Sequence, residues 1–260
     1  QRLVAADAAL MVLDNRPPVP VEERDELGDE ITYRRVLLAL VQDRIDEAQR
    51  WVDALSDEVP ESIWARLANR RMFEQARNGV QDGRGDRALL VRLYVSGRRI
   101  IEESETIPEA LSAASGTSLI AAVAEAGTSL GIDHGDSEAR RYAYKLYGSL
   151  LEASPRNRTF LSNRGRLAGF SGEFEEALRC WRIITAGSRP GSDEWFEART
   201  RIVELLAETD PDRAREVLDQ HRALYPDFGP TPWGRRLRRV AVDLGTVGPE
   251  SGPVNPEDDS

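Results

Sequence analysis

Between residues 29 and 60 the chain alternates apolar and polar positions with the period of amphipathic helices. In DEITYRRVLLALVQDRIDEAQRWVDALSDEVP, Val36, Leu37, Leu40 and Val41 form one apolar stripe. After a polar break at Gln42 and Asp43, a second stripe runs through Ile45, Ala48, Val52 and Leu55. The pattern predicts two helices joined by a short turn and closed by Pro60. Helical spacing continues at IWARLANRRMFEQARN (63–78), RALLVRLYVSGRRIIEE (87–103) and IPEALSAASGTSLIAAVAEAG (107–127). It is clearest in RNRTFLSNRGRLAGFSGEFEEALRCWRII (156–184) and follows again from Trp195 to Pro226. After Trp233 a short basic helix, RRLRRVAVDL, is predicted to cap the structure. The fold class read from this text is all-α.

One interval recurs within the helical text. Ala48, Val52 and Pro60, then Ala143, Tyr147 and Pro155, then Ala214, Leu218 and Pro226 repeat an alanine, a bulky residue and a proline 12 residues after the alanine. Ala177 and Trp181 form a further copy, 34 residues after Ala143 and 37 before Ala214, with its proline displaced to Pro190. The three extra residues of the longer step are assigned to the loop SRPGSD. Ala8, Val12 and Pro20 repeat the interval near the start, as the second helix of a hairpin cut off upstream. A fixed period of this length is the mark of stacked helical hairpins, each of which buries its apolar face only against its neighbours. Gly165 sits inside a helix, where glycine costs about 1 kcal/mol relative to alanine. A close helix crossing against the small Ala177 is the expected reason. Gly172 is expected to end that helix in a left-handed cap.

On Gly165, Ala177 and Trp181, with Gly172 and Phe174 in the turn, the chain resembles the tetratricopeptide repeat family. Leu161, Arg164 and Ala168 depart from the family's aromatic, Leu and Tyr. The match covers 137–226 well and 29–60 fairly, while the step of 95 residues from Ala48 to Ala143 is not a multiple of 34. Either the repeats of the middle have drifted, or another helical arrangement joins two arrays there. The organisation expected is N-terminal hairpins over 1–60, a degenerate helical middle over 61–136, repeats over 137–226, a capping helix over 227–244 and an acidic Pro/Gly-rich tail over 245–260. The resemblance implies a right-handed superhelical solenoid whose first helices line a concave groove for a peptide or partner helix. Projected onto this chain, Tyr33, Arg34 and Leu37 face that groove from the first hairpin, and Ser162, Asn163, Arg166 and Phe170 from the clearest one. Phe196, Arg199 and Val203 follow from the next. An amide at Asn163 can both donate to and accept from a peptide backbone. Arg166 and Arg199 can pair with carboxylates. The full carboxylate-clamp set of chaperone-binding members is not present.

Charge and chemistry narrow the reading. The net charge of −10 and pI near 5.0 disfavour binding to phosphate backbones. That ranks nucleic-acid binding through the arginine clusters below a protein partner, although 34 of the 35 basic residues are arginine and only Lys145 is lysine. Cys180, the only cysteine, excludes an intramolecular disulfide and sits at a position expected of a buried structural thiol. His134 between Asp133 and Asp136 in GIDHGD reads as a solvated loop rather than a metal site. His221 is expected to be a partly buried structural histidine. GRGD at 83–86 lacks a Walker lysine, and Ser171 lacks the spacing of a hydrolase elbow. Arg235, Arg236, Arg238 and Arg239 fit a polar terminal cap. No apolar run of 18 residues is present. The expectation is a non-enzymatic interaction scaffold or assembly subunit without cofactor, cytoplasmic or exported after signal removal. The start at Gln1 without methionine predicts a processed or truncated chain and keeps a regulatory or oligomerisation region of a larger enzyme as the alternative.

Overall fold

The computed structural model describes residues 26–83 and 86–248. The early Ala8–Pro20 interval, the Gln1 start, Arg84 and Gly85 of GRGD and most of the acidic tail lie outside them. The described residues contain twelve helices and no strand. In chain order these are α1 (Glu26–Val41), α2 (Ile45–Glu58), α3 (Ile63–Gln81), α4 (Arg87–Glu102), α5 (Ile107–Ser112) and α6 (Gly116–Asp133). They are followed by α7 (Ser137–Ala153), α8 (Arg158–Phe170), α9 (Phe174–Gly187), α10 (Asp193–Thr209), α11 (Pro211–Leu224) and α12 (Trp233–Asp243). The chain divides into two compact units between Leu150 and Leu151.

In the first unit, α1 and α2 form the hairpin that the two stripes predict, and α3 packs on both. Val36, Ala39, Ala48, Val52, Leu55, Ala65, Ala68 and Met72 close one continuous core. The apolar residues of α1 and α2 are thus covered by the next hairpin's first helix, which is the physical requirement of a stacked array. In the middle the helices again pair, with longer steps between second helices and one short inserted helix. α3 pairs with α4, and α6 turns back on α7. The short α5 packs on α6 beside them. Second helices of hairpins begin at residues 45, 87, 137, 174 and 211. The long α3 and the inserted α5 stretch the first two steps beyond the later ones.

Helix-interior glycines mark the crossings. A Cβ on Gly79 would lie 2.8 Å from the Leu89 side chain, and one on Gly97 would lie 2.3 Å from Val123. On Gly127 it would meet the backbone of Ala139 and the Cβ of Ala143 at 3.1 Å. Ala143 therefore packs as its repeated position requires, with Tyr147 beside it at 1% exposure.

The second unit contains α8/α9, α10/α11 and the terminal α12. Gly165 lies against the indole of Trp181, where a Cβ would sit 2.9 Å from Nε1, and 3.3 Å from the Cβ of Cys180. This corrects the expected partner: Gly165 makes room for Trp181, and it is Gly169 that approaches Ala177, at 3.9 Å. Trp181 is almost fully buried, and burial of a large side chain is worth about 2–3 kcal/mol. Gly172 has φ +79°, the left-handed residue that closes α8. Arg164, where an apolar residue is expected, is neutralised inside the hairpin: its Nε donates to Glu176 Oε1 at 2.6 Å. Ala48, Ala177 and Ala214 are fully buried, whereas Pro60, Pro155 and Pro226 are exposed. The prolines stand two residues past the ends of α2, α7 and α11, at the turns.

Candidate functional site

The side chains that α8 and α10 do not commit to packing meet along one face of the second unit. Asn157 caps α8 by accepting from Phe160 N–H at 3.2 Å, which orients the first turn of that helix. Ser192 caps α10 by accepting from Trp195 N–H at 3.3 Å. Arg158 at the start of α8 forms an ion pair with Glu194 at the start of α10. Beside that pair lies a cavity of about 210 Å³, with Trp181 and Ile184 beneath it and Ser162, Asn163, Glu194 and Glu197 around it. Farther along the face Arg166 is exposed, and Phe170 is 54% exposed.

Charged groups continue the face towards α12. Glu204 is shared by two arginines. Arg236 of α12 donates to it from Nε at 2.8 Å and from Nη2 at 2.6 Å, and Arg201 approaches it at 3.4 Å. Burial, together with the nearby Arg236 and Arg166, holds the Arg201 guanidinium below its ordinary value. Arg236 also lies 5.5 Å from the Trp233 ring, so α12 is fixed by charge as well as by buried Leu237 and Ala241.

Several expected positions lie elsewhere. Phe196 is 3% exposed, with its ring 4.9 Å from Tyr225 and 5.3 Å from Trp195, inside the α10/α11 hairpin. Arg199 points at α11 and donates from Nη2 to the Val217 carbonyl at 3.1 Å. Val203 is fully buried. The reason is register. The first helices α8 and α10 start 35 residues apart, at 158 and 193, while the second helices α9 and α11 start 37 apart, at 174 and 211. Two of the three extra residues lie within α10 and not in the SRPGSD loop. Glu197 and Arg201 therefore stand where Ser162 and Arg166 do, and Phe196, Arg199 and Val203 match the inward Leu161, Arg164 and Ala168. The missed residues were readable from the first-helix interval, because Leu161 and Phe196, both buried, are 35 residues apart.

In the first unit Arg34 is exposed and paired with Glu30. Tyr33 is half-buried, its ring 5.5 Å from that of Trp64, so it serves the packing of α1 on α3. Asp136 accepts from the N–H groups of Glu138 and Ala139, which makes it the cap of α7. Among the described residues no group of His, Cys, Asp and Glu converges to hold a metal, and no helix is long and apolar enough to cross a membrane. Cys180 is buried, and burial pushes its thiol up to about 11. Arg235 and Arg239 lie exposed on the outer side of α12.

Within each unit the second helix of a hairpin packs against the first helix of the next, closed by small residues at the crossings and by a left-handed glycine in the turn of the best-matched hairpin. The fold is tetratricopeptide-repeat-like. No protein-family model matches the chain, and no curated protein matches it. Among solved structures the chain is similar to TTC0263, a thermophilic TPR protein in Thermus thermophilus. The identity is 15% and the TM-score 0.40, covering 84% of this chain and 100% of that one. It is also similar to Pseudomonas aeruginosa pilF, at 13% identity and TM-score 0.31, covering 81% of this chain and 96% of that one. The TPR-like assignment rests on the hairpin geometry of the chain itself.

Proposed function

We propose that the chain is an interaction scaffold or assembly subunit that takes a peptide or partner helix of another protein on the α8/α10 face. The observation that supports this reading is the sorting of side chains on these two helices. Their inward positions form a closed core, while Ser162, Asn163 and Glu197 line an open cavity on the opposite side, and the exposed Arg166 and Phe170 stand farther along the same face. Exposed aromatic and arginine side chains beside a cavity are what protein interfaces use as anchors. Tyr33 and Arg199 are not part of this reading, because both serve packing.

Affinity capture of partners from the source cell tests it. Asn163→Ala combined with Arg166→Glu is expected to abolish capture, while Arg182→Glu, an exposed change on α9, leaves it intact. Capture that survives the paired substitution, with the far-ultraviolet circular dichroism unchanged, overturns the α8/α10 face as the docking surface.

A further inference from the structure

The face described above continues past Arg158 into a second, larger cavity of about 780 Å³. Its floor is aliphatic: Leu161 is 2% exposed, Ile184 5% exposed and Ile183 half-buried. Gly187 lines it without a side chain and has open space where a Cβ would stand. At its rim stand Arg156 and Arg158. Arg158 is occupied by Glu194, whereas Arg156 is exposed and has no ion pair among the described residues. Arg158 and Ile184 line both cavities, so the two are contiguous. Read from one end to the other, the surface offers an available cation at Arg156, an aliphatic floor, the polar Ser162 and Asn163, and the half-buried carboxylate of Glu197.

We propose that this composite groove selects a short extended segment of a partner protein that carries an acidic residue at one end, aliphatic residues in the middle and a basic residue at the other. The inference rests on the α8/α10 reading given above and adds its chemical selectivity. The acidic residue pairs with Arg156, the aliphatic residues cover Leu161, Ile183 and Ile184, and the basic residue meets Glu197. The larger cavity, about 780 Å³, lies within the roughly 300–1,000 Å³ of ligand clefts and can hold a few residues. The carboxylates of Glu194 and Glu197 and the net charge of −10 argue against a phosphate-rich occupant. Opposite charges at the two ends give the groove a direction-independent rule: one end takes an acid, the other a base.

Fluorescence anisotropy with three labelled peptides tests the rule. Each contains Leu-Val-Leu, flanked by Asp and Lys, by Asp on both sides, or by Lys on both sides. The native chain is expected to bind the mixed peptide about fivefold more tightly than either of the others, the scale of one partly exposed ion pair. Arg156→Glu is expected to shift the preference to the doubly basic peptide, and Glu197→Lys to the doubly acidic one. Glu197→Gln, which keeps size and removes charge, should erase the distinction between mixed and doubly acidic peptides. The same ranking in all four proteins overturns the proposal. Absence of any peptide binding, while partner capture still depends on Asn163 and Arg166, overturns the selectivity and leaves the docking face standing. If capture is also independent of those residues, both readings fall. Self-association of the chain that Arg156→Glu abolishes assigns the groove to a second copy and likewise overturns it.

Discussion

His221 is fully buried, and its Nε2 lies 3.0 Å from the Phe228 carbonyl. A carbonyl only accepts, so Nε2 carries the proton, and Nδ1 is left without a partner inside rings contributed by Trp195, Phe196 and Tyr225. Burial, reinforced by Arg199, holds this imidazole below its ordinary 6.5. The unfolded chain therefore binds the proton more readily than the folded one. This stabilising contribution is whole above 6.5 and declines as pH falls below it. Urea denaturation at about pH 7.5 and 5.5 should show the native chain weaker at the lower value, and His221→Gln should flatten that difference. Glu176 behaves oppositely in range: the hydrogen bonds from Arg179 and then Arg164 hold its carboxyl down to about 2. Its contribution is whole above 4.5 and is lost as pH falls from there towards about 2. Glycine gives a second contrast at this scale. Gly165→Ala pushes a methyl group into Trp181 and should cost about 1–3 kcal/mol by denaturant titration, whereas Gly187→Ala meets nothing within 4 Å and should change stability by less than about 0.5 kcal/mol. The sequence marked Gly165 as a packing glycine because nothing else justifies glycine inside a helix. It did not show which neighbour needed the space, since Trp181 and Ala177 lie one turn apart on the same helix.

At the scale of the element, helix existence was legible from apolar spacing, and the register of α10 was not legible from the second-helix alanines. The stripes of α1 and α2 and the breaks at Gly172 and Pro60 follow directly from local chemistry. The outward face of α10 depends on how many residues precede its turn, and a second-helix alanine carries no information about that. Glu197 and Arg201 could be found only by aligning the buried large residues of first helices. The same helix supplies the anchor for α12. Glu204 receives two hydrogen bonds from Arg236, and a planar fork on a carboxylate is the geometry in which surface charge contributes most. A double-mutant cycle with Arg236→Ala and Glu204→Ala should give a coupling of about 1 kcal/mol, with amide exchange in α12 accelerated in the single variants. A coupling near zero would show that Leu237 and Ala241 hold the cap unaided.

For the whole molecule, stacked hairpins make stability local, because each layer touches only its neighbours. The irregular middle, which the repeat interval alone left open, is explained by length: α3 spans 19 residues and α5 is inserted before α6. No sequence period survives such insertions, although the crossings keep their glycines at Gly97 and Gly127. With two compact units, Gly165→Ala should speed hydrogen exchange in α8 and α9 while leaving α1–α3 unchanged. Uniform acceleration would instead show that the chain unfolds as one cooperative body. The chain also carries its own pair of chemical clocks. Lys145, the only lysine, is exposed in the first unit, and Cys180, the only cysteine, is sealed in the second with its thiol at about 11. An amine dye therefore marks one unit without perturbing the other. A thiol reagent reacts only when α8 and α9 part, so its rate counts the openings of that single layer.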